Sequence, residues 1–366
     1  RSGVRIMAYT TIDDPSAHHQ SVTWTGTNAV NKVITNDGNS NLQPDLIWAK
    51  SRTSTSYTDN HFLVDSSRGR LKGLVPNLAN AETTTAGNTS ENDLLSFDTN
   101  GFTVGIVHAT AALNAQDASL VGWQWKANGG TTSSNTDGSV TSTVQANTDA
   151  GFSIVTYSSD NTSAETIGHG LGAVPHTIWV KRRNSNNRDW AIYHQDIGNT
   201  GFLEFNSTDT ITTSSAYWNN TSPTSSVFTI GTGNNSRVNS SSQIAFCFAE
   251  KKGYSKFGFY HGNGNIQGPF VYTGFKPAFI LIRTNSGFKN WYMWDNTRSP
   301  INPVDESISI TANAELAGYD PIDILSNGFK VRDADATWNS YNTTTYYWAF
   351  AENPFVTSTG IPTLAR

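Results

Sequence analysis

The sequence predicts an all-β protein built as three tandem antiparallel β-sandwich repeats, jelly-roll or lectin-like, on three observations. Short β-branched or aromatic runs bounded by Gly, Asn, Asp or Pro fill the chain, among them Phe152-Ser-Ile154-Val-Thr156-Tyr157 and Phe279-Ile-Leu-Ile-Arg283, and such runs read as strands closed by polar turns. Almost no long window keeps a 3.6-residue apolar period with a cap. Three landmarks recur three times in one order, and self-similarity of this kind decides the fold of a chain 366 residues long.

The first landmark is a strand entered from a proline: Pro44-Asp-Leu-Ile47-Trp-Ala-Lys50, Pro175-His-Thr-Ile178-Trp-Val-Lys181 and Pro277-Ala-Phe-Ile280-Leu-Ile-Arg283. The second is a strand opened by Phe102, Phe228 or Phe329, lying 58, 53 and 52 residues after those prolines. The third closes each unit: Trp123-Gln-Trp125-Lys-Ala127, Phe246-Cys-Phe248-Ala249 and Trp348-Ala-Phe350-Ala351, with the last Ala 25, 21 and 22 residues beyond the Phe. The predicted units span 8–128, 139–251 and 255–355, followed by a C-terminal tail at 356–366. The three Phe residues are expected in equivalent cores. Strand alternation sets Cys247 on the face opposite Phe246 and Phe248, as a small buried filler.

Between units one and two, residues 129–138 (GGTTSSNTDG) carry no core-forming side chain and read as a linker. Units two and three are joined by five residues, Lys251-Lys-Gly-Tyr-Ser255, a connection short enough to pack them together.

Charged residues make up only 14% of the chain and aromatics 11%, with a net charge of -5; an ordinary domain carries roughly 25% charge. The longest basic run is Lys181-Arg182-Arg183, so there is no electrostatic footprint for nucleic acid or an anionic membrane. One cysteine excludes an internal disulfide and a cysteine-based zinc site. No apolar run reaches the ~18 residues of a membrane helix, and an apolar signal segment is not seen ahead of or after Met7; the chain is expected to be soluble and not exported by that route.

Chemistry-bearing motifs are sparse. The eight histidines form no HExxH pattern, and the glycines of Gly262-Asn-Gly264-Asn-Ile-Gln-Gly268 miss dinucleotide spacing and read as a hairpin turn. Asp333-Ala-Asp335 offers oxygen ligands but lacks the glycine and closing Glu of a calcium loop. No metal, cofactor or catalytic residue is assigned. Asp65 with Arg68, and Asp295 with Arg298, stand at corresponding places in units one and three, with His194-Gln-Asp196 in unit two. A carboxylate and a guanidinium three residues apart pair locally or cap a turn, so these are read as structural pairs. Aromatics within polar loops are the best ligand candidates: Trp338 and Tyr341 lie among Asn339 and Asn342, the combination that stacks on a sugar face and hydrogen-bonds its hydroxyls. Loops 107–117, 231–242 and 332–345 are the expected contact surfaces, because they vary between landmarks that do not.

The segment Lys256-Phe-Gly-Phe-Tyr-His-Gly-Asn-Gly-Asn-Ile-Gln-Gly-Pro-Phe-Val-Tyr-Thr-Gly-Phe-Lys-Pro-Ala-Phe279, with Ala349-Phe-Ala-Glu-Asn-Pro-Phe355, resembles a repeat-bearing family of virion proteins from tailed phages of marine bacteria. Trp218-Asn-Asn-Thr-Ser-Pro-Thr-Ser-Ser-Val-Phe228 and Gly168-His-Gly-Leu-Gly-Ala-Val-Pro175 share its pattern. The resemblance spans 139–366 well and unit one more loosely, and it carries over no binding residue. It implies a non-enzymatic virion component assembled in the host cytoplasm, of tail-fibre or receptor-binding type. Its expected partners are other virion proteins and a host-surface glycan or protein, in a homo-oligomer that is a trimer by analogy. A capsid decoration or other architectural role is the alternative, and a polysaccharide depolymerase the third reading.

Overall fold

The structure, a computed structural model, describes residues 8–53, 60–84, 93–107, 113–159, 164–233, 241–311, 315–316, 318 and 322–363. It is nearly all-β, with two one-turn α-helices and one 3-10 turn among the described residues. Every strand pair within a sheet is antiparallel.

One strand order recurs. In unit one the opening strand His19–Thr25 pairs with the closing strand Ser119–Trp125, which pairs with the proline strand Leu46–Ser51 and then Phe62–Asp65. The same succession runs Phe152–Ser159, Ser241–Phe248, Thr177–Arg182, Ala191–His194 in unit two. In unit three it runs Ser255–His261, Thr344–Pro354, Phe275–Thr284, Trp291–Asp295. A smaller sheet that includes the Phe strand lies over one face of each main sheet: Lys32–Thr35, Gly101–Val104 and Leu94–Asp98; Glu165–Gly168 and Val227–Ile230; Phe270–Tyr272, Gly328–Val331 and Ile322–Leu325. Phe102, Phe228 and Phe329 are buried in the three resulting outer cores, beside Ile47, Ile178 and Ile280 respectively.

The opposite faces of the main sheets meet in a fourth core that belongs to all three units. Each closing strand turns its bulky residues inward, namely Val121, Trp123 and Trp125; Ile244, Phe246 and Phe248; Tyr346, Trp348 and Phe350. Ala245, Cys247 and Ala349 face the outer cores, and so does Tyr347; Gly122, at the place of Ala245 and Tyr347, lies against Trp24 and Phe102. The last inward rings of the three strands touch in a triangle: Trp125–Phe248 at 6.4 Å, Trp125–Phe350 at 5.5 Å and Phe248–Phe350 at 5.7 Å between centroids, all near edge-to-face, the arrangement aromatic quadrupoles favour. The tandem picture of separate cores therefore lacks this shared one.

Polar contacts close the units into a ring. At one end, Gln145 of unit two donates to Ser66 and Ser67 of unit one, Gln195 of unit two donates to Phe257 O of unit three at 2.7 Å, and Thr297 of unit three donates to Ser21 O of unit one. At the other, Arg183 of unit two holds Glu82 of unit one at 2.6 Å and Arg52 of unit one holds Glu315 of unit three at 2.9 Å. Asn285 of unit three, at the matching position, accepts from Ile211 N of unit two.

Two local expectations need correction. Residues 129–138 are not a spacer: Ser133–Asn135 extends the main sheet of unit two, and the Gly129 and Gly130 N–H groups donate to the buried Asp45 carboxylate at 2.9 and 2.8 Å. The 262–268 glycines do not close a hairpin, because the flanking strands belong to different sheets and the turn carries the chain from one layer to the other. The tail folds back through a bridge between Val356 and Pro362, and Ser358 N donates to Asp13 at 2.6 Å. Residues 1–6, 108–112, 234–240 and 364–366, which include parts of two predicted contact loops, lie outside the described residues.

Candidate functional site

All eleven tryptophans are buried, so the predicted stacking residues separate. Asp335 caps the one-turn helix Ala336–Asn339, its carboxylate accepting Thr337 N at 2.7 Å, and Asp333 accepts Asp335 N at 2.6 Å. The acids that suggested a cation loop are thus spent on backbone amides. The turn they fix points Trp338 into the outer core of unit three, edge-on to Tyr292 at 5.3 Å and Trp294 at 6.2 Å. Trp338 has no free face for a sugar, and the prediction that it binds ligand is corrected.

Asn339 is fully buried as well, and it ties two loops together. Its amide nitrogen donates to Asp333 O at 2.6 Å and Asn265 O at 2.7 Å, and its amide oxygen accepts Asn263 N at 2.8 Å. Its backbone carbonyl accepts Gly264 N at 2.9 Å, while Asn342 N donates to Gly262 O at 2.9 Å. Asn339 therefore positions rather than contacts, a second correction.

What remains at the surface is a platform. Tyr341 is 79% exposed and sits against the 262–265 turn, with its Cβ close to Gly264, and Ile266 on the same turn is 65% exposed. Asn342 is exposed in the left-handed conformation at φ 54°, which Asn tolerates better than most residues. Below it, Arg332 donates to Gln267 at 3.2 Å and pairs with Asp323. An aromatic ring on a hydrogen-bonded base, ringed by amides, can stack and hydrogen-bond.

The turn pairs lie elsewhere. Asp65 accepts Arg68 N at 2.9 Å and Nε at 2.6 Å, and Asp295 repeats both distances with Arg298. Arg298 is fully buried; burial works against its charge, but Asp295 and Glu315 outweigh that and raise its pKa. Asp295 also accepts Trp123 Nε1 of unit one at 2.9 Å, so this pair joins units as well as closing a turn. His194 fills the position in unit two, against Trp348 at 4.8 Å; burial lowers its pKa to about 3, leaving it neutral beside Asp196 rather than ion-paired.

The fold is thus that of a nearly all-β protein of several antiparallel sheets, with an aromatic-amide platform built by the 262–267 turn and residues 339–342. The chain belongs to the DUF7483 family, a domain of unknown function, whose pattern matches residues 14–354. No curated protein and no solved structure matches the chain.

Proposed function

We propose that the chain is a non-enzymatic structural protein of a bacteriophage virion, exposed on the tail, in which three copies of one β-sandwich share a central core and the third recognises a host-surface glycan or protein. The resemblance of residues 139–366 to phage virion proteins supports the setting. The observation that carries recognition is Tyr341, a ring 79% exposed on a base locked by the buried Asn339 amide. A fixed backbone beneath an exposed Tyr, whose side chain has few rotatable bonds, keeps the entropy cost of binding low.

A specific observation also favours an architectural role. Phe270 and Tyr272 alternate with buried Val271 on an outermost strand of their sheet, and both are about half exposed; such an edge suits a neighbouring virion protein. Tyr341→Ala separates the readings. Adsorption to host cells should fall at least tenfold with normal incorporation into particles. Lost incorporation would assign Tyr341 to assembly, and no change in either would remove the platform from both.

A further inference from the structure

A groove of about 570 Å³ lies where units two and three meet, lined by Tyr9, His176, Glu250, Lys252, Lys256 and Tyr272 among others. Its volume falls within the ~300–1,000 Å³ of small-ligand clefts. Its charges are unevenly satisfied. Glu250 Oε1 accepts Phe257 N at 2.7 Å, and Oε2 lies 3.5 Å from Lys256 Nζ. Lys252 has no carboxylate within 4 Å among the described residues; its ammonium stands 4.3 Å over the Tyr9 ring instead. His176 accepts Glu250 N on Nδ1 at 3.1 Å, which places the proton of the neutral ring on Nε2. Burial lowers this histidine's pKa and outweighs the opposing pull of Glu250, whose Oε2 lies 3.9 Å from Nε2, with Lys256 adding to the lowering, so at neutral pH it is an uncharged donor.

The phenols are ordered too. Tyr9 Oη donates to Gly274 O at 2.7 Å, so the 3.2 Å contact between the two hydroxyls takes its proton from Tyr272. Tyr272 is 52% exposed. The groove therefore offers an unneutralised ammonium, a second one held by a single carboxylate oxygen, an imidazole N–H and an open aromatic ring. A bare inorganic anion would leave the ring and most of the volume unused.

We propose that this groove binds an acidic saccharide, a pyranose bearing a carboxylate or sulfate, with the anion at Lys252 and Lys256 and an apolar sugar face on Tyr272. The site shares no residue with the Tyr341 platform, so either can fail alone. Calorimetric titration of the whole chain with oligogalacturonate, its methyl ester and a sulfated galactan of equal length tests it. One or both acidic oligomers should bind with an affinity that drops as salt rises, the ester at least tenfold more weakly than the acid if carboxylate is the anion. Binding by only one acid names the anion. Lys252→Gln, an exposed change that leaves the circular dichroism unaltered, should cost at least tenfold, while Tyr341→Ala should cost nothing. Silence from both acids at millimolar concentration, equal binding of a recognised acid by Lys252→Gln, or an ester that matches a binding galacturonate each overturns the proposal. Loss on Tyr341→Ala instead would move the acidic sugar to the platform and overturn the groove as its site.

Discussion

Trp338 and Tyr341 stand three residues apart and go to opposite environments, one into a core and the other into solvent. The run Asp333-Ala-Asp335-Ala-Thr-Trp-Asn339 looks solvent-facing only because its polar side chains satisfy backbone groups instead of water. Sequence order marks such residues as polar but not where their hydrogen bonds end, so the exposure of Tyr341 and Asn342 was legible while the burial of Trp338 and Asn339 was not. The landmark Phe residues were legible, since each opens a strand in a run with few alternatives. Phe329→Ala should cost about 3–5 kcal/mol by urea denaturation, the range for truncating a buried Phe. Asp335→Ala loses one helix cap and should cost ~1 kcal/mol; equal losses would contradict the core assignment. Burial also lowers the pKa of His19 and His194 to about 3. Both are neutral when folded, whereas an unfolded histidine takes up a proton below about pH 6.5. Stability is then complete above that pH and lost as pH falls toward 3, at about 1.4 kcal/mol per unit for each group. The urea midpoint should drop between pH 7 and pH 5, and His194→Gln should flatten the drop; a midpoint unchanged over that interval would refute the neutral assignment.

At the scale of the strand, the closing elements read as alternate large and small residues: Phe246-Cys247-Phe248-Ala249 and Trp348-Ala349-Phe350-Ala351. This pattern was legible as a strand, and Cys247 lies opposite its aromatic neighbours, buried, with burial raising its thiol pKa. Less legible was that neither face meets water. A sandwich needs one buried face, and although Cys247 was expected as a buried filler, that place gave no sign that the aromatic face would be buried against the other units as well. The small residues are what let the Phe strands come close. A Cβ at Gly122 would lie 3.6 Å from Phe102 Cζ, an ordinary contact, but 3.2 Å from Trp24 Cζ3, tighter than packed side chains accept without displacement. Gly122→Val should therefore cost about 1–3 kcal/mol through overpacking, and Ala349→Val, at a different strand position but fully buried in the outer core of unit three, should also destabilise. A gain in thermal midpoint from either would mean that the outer cores hold spare room.

For the molecule as a whole, landmark spacing marked strands that recur in one order, but not how their sheets meet. Contacts such as Trp123 to Asp295 and Trp348 Nε1 to Thr177 at 2.9 Å join residues more than 170 positions apart, and no local pattern encodes them. With Trp125, Phe248 and Phe350 in mutual contact, loss of one unit bares the inner faces of the other two. Scanning calorimetry should show one transition with equal calorimetric and van't Hoff enthalpies, and Trp125→Ala should lower that single midpoint without splitting it. Three resolved transitions would restore independent domains. The triangle of rings also makes the repeat number a packing quantity. Two sheets would leave the inner aromatic face of each partly wet, and four would hold opposite strands too far apart for their rings to meet, opening a channel that side chains of this size cannot fill. Duplicating or excising a unit should then do more than lengthen or shorten the protein: a closed figure of three has no intermediate size, and its loops can diversify freely while its count cannot drift.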